Sequence, residues 1–162
     1  MSGQRREIQG KPFAAPPRVA VVVSRYNQWI TDALQTGAVQ EYVRRFGSET
    51  GLTIVHAPGS FEVPTLAHEA AASGKFQAVV ALGCVIRGET THDQHINHAV
   101  SNQIVRSACE TGVPIGFGIL TVENALQAEA RAGGDKGNKG AEAMAAALDT
   151  AMALAGLREE VH

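Results

Sequence analysis

The chain has 162 residues, 44% of them apolar, 17 glycines and a formal net charge of −2 at neutral pH. That length makes about one domain with a full core, and the charge leaves no basic footprint for nucleic acid or an anionic membrane. No apolar run is long enough to span a bilayer and no signal-peptide pattern opens the chain, so a cytoplasmic protein is expected.

Residues 1–17 are polar and contain Pro12, Pro16 and Pro17, which predicts an arm outside the core. Arg18 to Ser24 (RVAVVVS) is a short Val-rich run, the mark of a strand buried on both faces. After Arg25-Tyr26-Asn27, the residues Ile30, Leu34, Ala38, Val39, Tyr42 and Val43 recur at helical spacing up to Phe46-Gly47. Leu52 to Ala57 is a second strand, closed by Pro58-Gly59, and Glu62 to Ala72 is a helix that tolerates Pro64 in its first turn. Ala78 to Cys84 is a third strand, followed by a helix from His92 to Thr111. Val113 to Leu120 (VPIGFGIL) is a fourth strand, and a short helix from Glu123 to Ala132 is stopped by Gly133-Gly134. After Lys136-Gly137-Asn138-Lys139-Gly140 an Ala-rich helix runs to Leu154. This alternation predicts a three-layer α/β/α sandwich with a four-stranded parallel sheet, a single domain over residues 18–157. Cys84 and Cys109 are too few for a disulfide framework and read as reduced, buried thiols.

Parallel sheets take ligands outside the carboxyl ends of their strands. Three unusual local sequences fall there: Arg25-Tyr26-Asn27, Pro58-Gly59-Ser60-Phe61-Glu62, and Gly83-Cys84-Val85-Ile86-Arg87-Gly88-Glu89-Thr90-Thr91-His92. The last is a strand, a Gly-bracketed turn and a helix start, which offers unpaired N–H groups and a positive dipole end to an anion. His92, whose type titrates near neutral pH, stands beside that position. Tyr26, one of eight aromatics, reads either as core packing or as a platform for a flat heterocycle. Glu62 either complements a helix dipole or bonds ligand hydroxyls. His92, His95 and His98 fan over about 120° of helix, too broad an arc for a compact set of metal ligands. The run Gly133 to Gly140 lacks a phosphate-loop pattern, yet Arg131 and Lys139 bracket it; they serve either a phosphate or the helix ends.

Five blocks in order, from about residue 18 to 155, resemble lumazine synthase. They are Arg25-Tyr26-Asn27, Pro58 to Pro64, Gly83 to His92, Phe117-Gly118-Ile119-Leu120-Thr121, and Arg131-Ala132-Gly133 with Gly137-Asn138-Lys139-Gly140. The resemblance implies a flavodoxin-like strand order and a transferase of riboflavin biosynthesis without metal or organic cofactor. Its substrates would be 5-amino-6-(D-ribitylamino)uracil and 3,4-dihydroxy-2-butanone 4-phosphate, its product 6,7-dimethyl-8-ribityllumazine. It implies that His92 shuttles protons and that Tyr26 stacks on the pyrimidine. Ser60, Phe61 and Glu62 would serve the ribityl chain, and Cys84, Val85 and Ile86 would line the pyrimidine with backbone groups. Phe117 would close over it from a neighbouring subunit. Glu89 and Thr90 would hold the butanone phosphate with Arg131 of that neighbour. Lys139 would join the ribitylaminouracil contacts close to that phosphate. Homopentamers, a 60-subunit icosahedral shell and association with riboflavin synthase belong to the same implication.

Two departures stand out. His92-Asp93-Gln94-His95 replaces the commoner His-aromatic-acidic-aromatic, which leaves the orienting partner of His92 open, and Asp135 stands where many relatives carry Lys. The alternative, a non-catalytic flavin- or lumazine-binding or shell-forming paralogue, rests on the first departure. A flavodoxin-type electron carrier is disfavoured, since no Ser/Thr-rich phosphate loop follows the first strand.

Overall fold

The Val-rich run forms β1 (Val19–Ser24), and all six of its residues are buried. It lies second in a parallel sheet of order β2-β1-β3-β4, with β2 at Leu52–Ala57, β3 at Ala78–Ile86 and β4 at Ile115–Val122. These assignments come from a computed structural model that describes residues 3–88, 90 and 92–161, for 161 the backbone alone. Side-chain alternation divides β1 between two cores. Val19, Val21 and Val23 pack with α1 (Gln28–Phe46) and α5 (Lys139–Val161) on one face. Ala20 and Val22 pack with α2 (Val63–Ala72) and α3 (His92–Thr111) on the other. The three layers and the flavodoxin-like strand order are those expected. Because the chain leaves β1 toward β2 and then crosses back to β3, the topological switch lies between the carboxyl ends of β1 and β3.

Three of the differences between observed and expected element bounds bear on the site and its surroundings. The third strand runs on to Ile86 because β4 accompanies it, pairing Cys84 with Leu120, Val85 with Thr121 and Ile86 with Val122. Pro114, with no N–H to give a ladder, precedes β4, which therefore starts two residues later than predicted, and the continued pairing with β3 carries it two residues further, to Val122. After α4 (Ala125–Arg131), the Gly-rich run is an antiparallel hairpin, β5 (Ala132–Gly134) with β6 (Gly137–Asn138), and α5 starts at once at Lys139 and continues to Val161. Asn138 sets that start. Its Oδ1 accepts from the N–H groups of Gly140 (2.8 Å) and Ala141 (3.1 Å), while its Nδ2 donates to the Ala33 carbonyl of α1 (3.0 Å). A Cβ at Gly140 would overlap the Leu34 carbonyl oxygen, so α1 and α5 meet here backbone against backbone.

The segment before β1 lies along the helices. Lys11 N–H donates to Met152 O (2.9 Å), Phe13 stacks edge-on against Phe46 with ring centroids 5.9 Å apart, and the Tyr42 hydroxyl donates to Pro17 O (2.7 Å). Of the two thiols, only Cys84 is buried. Cys109 is exposed, because its position on α3 falls outside the buried line of Val100, Ile104 and Ser107.

Candidate active site

The end of β1 is tied to both of its neighbours. Arg25 N–H donates to Ala57 O (2.8 Å) and Tyr26 N–H to Pro58 O (3.2 Å), which fixes the loop to the end of β2. Asn27 adopts the left-handed conformation (φ 59°), which Asn tolerates better than most residues, and its Nδ2 reaches across to the Cys84 carbonyl (2.9 Å). This strut holds the rim of β1 against the rim of β3. With its backbone so fixed, Tyr26 projects a ring that is 71% exposed, which disposes of the core-packing reading.

After β2, the turn through Pro58 and Gly59 delivers Ser60, Phe61 and Glu62. Ser60 is buried, and its hydroxyl occupies the space that a side chain at Gly83 would need. Phe61 is 62% exposed and Glu62, at the N-cap of α2, is exposed. Two aromatic rings and a carboxylate thus stand around one opening.

The floor comes from β3. Pairing with β1 stops at Val23 and Leu82, whereas pairing with β4 continues to Ile86. The Cys84 carbonyl faces β1, since Asn27 reaches it, and Arg87 N–H faces β4, donating to Val122 O (2.8 Å). Strand alternation then puts the N–H and C=O of Ile86 on the β1 side, where β1 has ended. A donor and an acceptor are left on offer there to a flat polar ring. The Cys84 side chain adds no nucleophile: burial pushes its thiol up to about 11, so it stays protonated at neutral pH.

Thr90 and His92 complete the rim at the start of α3. Thr90 Oγ1 accepts from the His92 N–H (3.3 Å), so its own hydroxyl proton remains free for an acceptor in front of the helix. Among the described residues the His92 imidazole has no hydrogen-bond partner. Gln94 is exposed, and Asp93 is buried beneath His92's turn of helix. Tyr26, Ser60, Phe61, Glu62, Cys84, Val85, Ile86, Thr90 and His92 share one cleft of about 330 Å³, large enough for a small molecule. Four further residues line it that were assigned no site role from the sequence: Gly59, Gly88 and Asp93, which were quoted in the motifs, and Ile96, which was not. Asn27 was quoted with its neighbours but given no role. Its signal was a residue tolerant of the left-handed region between a strand and a helix.

Three expected residues lie elsewhere on this chain. Arg131 and Lys139 line a second hollow of about 340 Å³, where Lys136 joins them, along with Thr121 and Glu142. Lys136, one position after Asp135, thus adds a third cation to this hollow. Phe117 sits on the edge strand β4 beside Ile104, Val105 and Ala108 of α3, in a third hollow. Glu89 falls outside the described residues.

Comparison with known proteins gives consistent matches. A family model described as 6,7-dimethyl-8-ribityllumazine synthase matches residues 16–155. A protein of that name from Nitratidesulfovibrio vulgaris (strain DP4) is 44% identical over 146 residues, covering 90% of this chain and 93% of the relative. One from Chlorobium luteolum (strain DSM 273 / BCRC 81028 / 2530) is 42% identical, with 90% and 94% covered.

Proposed function

The chain belongs to the 6,7-dimethyl-8-ribityllumazine synthase family, and from that premise we propose how the rim of its sheet performs the reaction. The enzyme, a transferase of riboflavin biosynthesis, condenses 5-amino-6-(D-ribitylamino)uracil with 3,4-dihydroxy-2-butanone 4-phosphate. The products are 6,7-dimethyl-8-ribityllumazine, phosphate and water. The observation that carries the site assignment is the cleft at the β1/β3 switch, where an aromatic platform, free strand-end backbone and a helix-start Thr–His pair converge.

The pyrimidine lies against the Tyr26 ring, its polar edge on the backbone of Cys84 and Ile86 with Val85 between them. The ribityl chain runs toward Ser60, Phe61 and Glu62. The butanone phosphate sits at the start of α3 with Thr90 and Glu89, where the helix dipole and the Thr90 hydroxyl favour an anion. The amine nitrogen attacks the carbonyl carbon; a proton must leave nitrogen and one must reach oxygen, and His92 moves them. Phosphate then leaves and the ring closes. Holding both substrates together supplies much of the remaining acceleration, since the amine is already a competent nucleophile.

Cations that would balance the departing phosphate, Arg131 and Lys139, face the second hollow of the same chain, and so does Lys136. Phe117 likewise lies away from the cleft. This division supports a site completed by a neighbouring copy, which contributes Phe117 and Arg131, in a homopentamer. Pentamers joined into a 60-subunit icosahedral shell, a cytoplasmic location and association with riboflavin synthase extend the same reading.

Incubation with both substrates, followed by lumazine fluorescence, tests the activity, and product above the uncatalysed rate is expected. His92→Ala should lower turnover by a factor on the order of 10², short of full loss because substrate proximity survives. Turnover within twofold of wild type in folded variant protein removes His92 from the mechanism.

A further inference from the structure

The buried face of α3 runs Asp93, Val100, Ile104 and Ser107, with half-buried Ile96 on the same side, packed over Ala20, Val22, Val79, Ala81 and Ile119. Asp93 is the cleft-end member of this otherwise largely apolar stripe, and it lines the cleft beside Val85, Ile86 and Ile96. It is only 8% exposed, and among the described residues its Oδ1 is the one buried side-chain oxygen or nitrogen without a hydrogen-bond partner. Proximity to a helix start explains a carboxylate in the first turn of α3 but not the burial of one of its oxygens. An oxygen so shielded and unpartnered is unfavourable in the free protein, and it becomes favourable once the carboxylate turns into the cleft that Asp93 lines and meets a ligand's donor.

We propose that Asp93 is a substrate-contacting residue that accepts a hydrogen bond from an N–H group of the amine substrate on the floor of the cleft. The choice between the two substrates follows from charge. The butanone carries a phosphate, and a carboxylate set against it would repel it. The ribitylaminouracil is neutral and rich in N–H donors, and its attacking nitrogen gains positive charge as the new C–N bond forms. An acceptor fixed beside that nitrogen is strengthened as the charge develops. Asp93 therefore contributes to selection of the amine, while Thr90 and His92 face the anion. The inference rests on the lumazine synthase reading of the cleft.

Steady-state kinetics on Asp93→Asn and Asp93→Leu, each substrate varied in turn, test it. Asp93→Leu should raise KM for the ribitylaminouracil by about 10- to 100-fold. Asp93→Asn, which keeps one acceptor oxygen without the charge, should fall between it and wild type, and KM for the butanone phosphate should stay within twofold in both. Thermal unfolding should be unchanged or raised, because no protein partner of Oδ1 is lost. Wild-type turnover with an unaltered amine KM in the folded variants overturns the role of Asp93 and leaves the family reading standing. Equal rises in both KM values, or variants that no longer fold, make Asp93 structural and also overturn it. Absence of wild-type turnover overturns both readings.

Discussion

Tyr26 and Phe61 keep large apolar rings in solvent at the rim of a cleft, an arrangement that makes sense when a flat ligand covers them. For Tyr26, stacking requires the π-face and not the hydroxyl. Tyr26→Phe should bind the lumazine product nearly as well as wild type, and Tyr26→Ala should bind it about 1–2 kcal/mol more weakly by fluorescence titration. Equal losses for both variants would assign the contact to the hydroxyl. The two thiols give a second expectation. With Cys84 held protonated by burial and Cys109 exposed, a thiol reagent near pH 8 should label Cys109 and spare Cys84. Labelling of Cys84 at the rate of Cys109 in the native protein would refute its burial. The pH dependence has a definite sign. From about 9 to about 11 the unfolded chain has lost the Cys84 proton while the folded chain keeps it, so this group lowers stability as pH rises through that window.

At the scale of elements, the hairpin and the start of α5 show how a Gly-rich stretch serves packing. Gly133 and Gly137 adopt positive φ (109° and 81°), which the tight reversal requires, and Gly140 lets α5 meet α1. Asn138 caps α5 and bonds Ala33 with the same side chain. Asn138→Ala should cost about 1–2 kcal/mol through loss of the cap and the cross-helix bond. Asn138→Asp should cost less, since it keeps the acceptor for Gly140 and Ala141. Gly140→Ala should destabilise by about 1–3 kcal/mol because backbone must move to admit the methyl group. Denaturant midpoints at equal protein concentration order the three. A neutral Asn138→Ala would show that the hairpin alone positions α5. Since Arg131 and Lys139 flank the hairpin, these variants should also weaken the cationic hollow.

At the scale of the molecule, the separation of His92 from Arg131 on one chain makes a shared site testable by mixing. His92→Ala and Arg131→Ala chains, each poorly active alone, should be unfolded and refolded together in equal amounts. In a head-to-tail ring about a quarter of interfaces then pair an intact His92 with an intact Arg131, so about a quarter of wild-type activity should return. A mixture no better than the mean of its parents, with subunit exchange demonstrated, excludes the shared site.

The alternating Val-rich strands and helical periods were enough to specify the layers, because burial on both faces leaves its own composition in β1. The rim residues from Tyr26 to His92 were legible as well, since Gly, Pro, aromatic and His residues at strand ends have few other uses. What sequence could not decide was pairing. The extra length of β3, the Asn27 strut to Cys84 and the bond from Asn138 to Ala33 each depend on a partner 36 or more residues away (Ile86 to Val122), or far further along the chain. Asp93 was visible as a departure in the motif, but only the packing of α3 against the sheet decided that it is buried at the edge of the cleft and not turned to solvent.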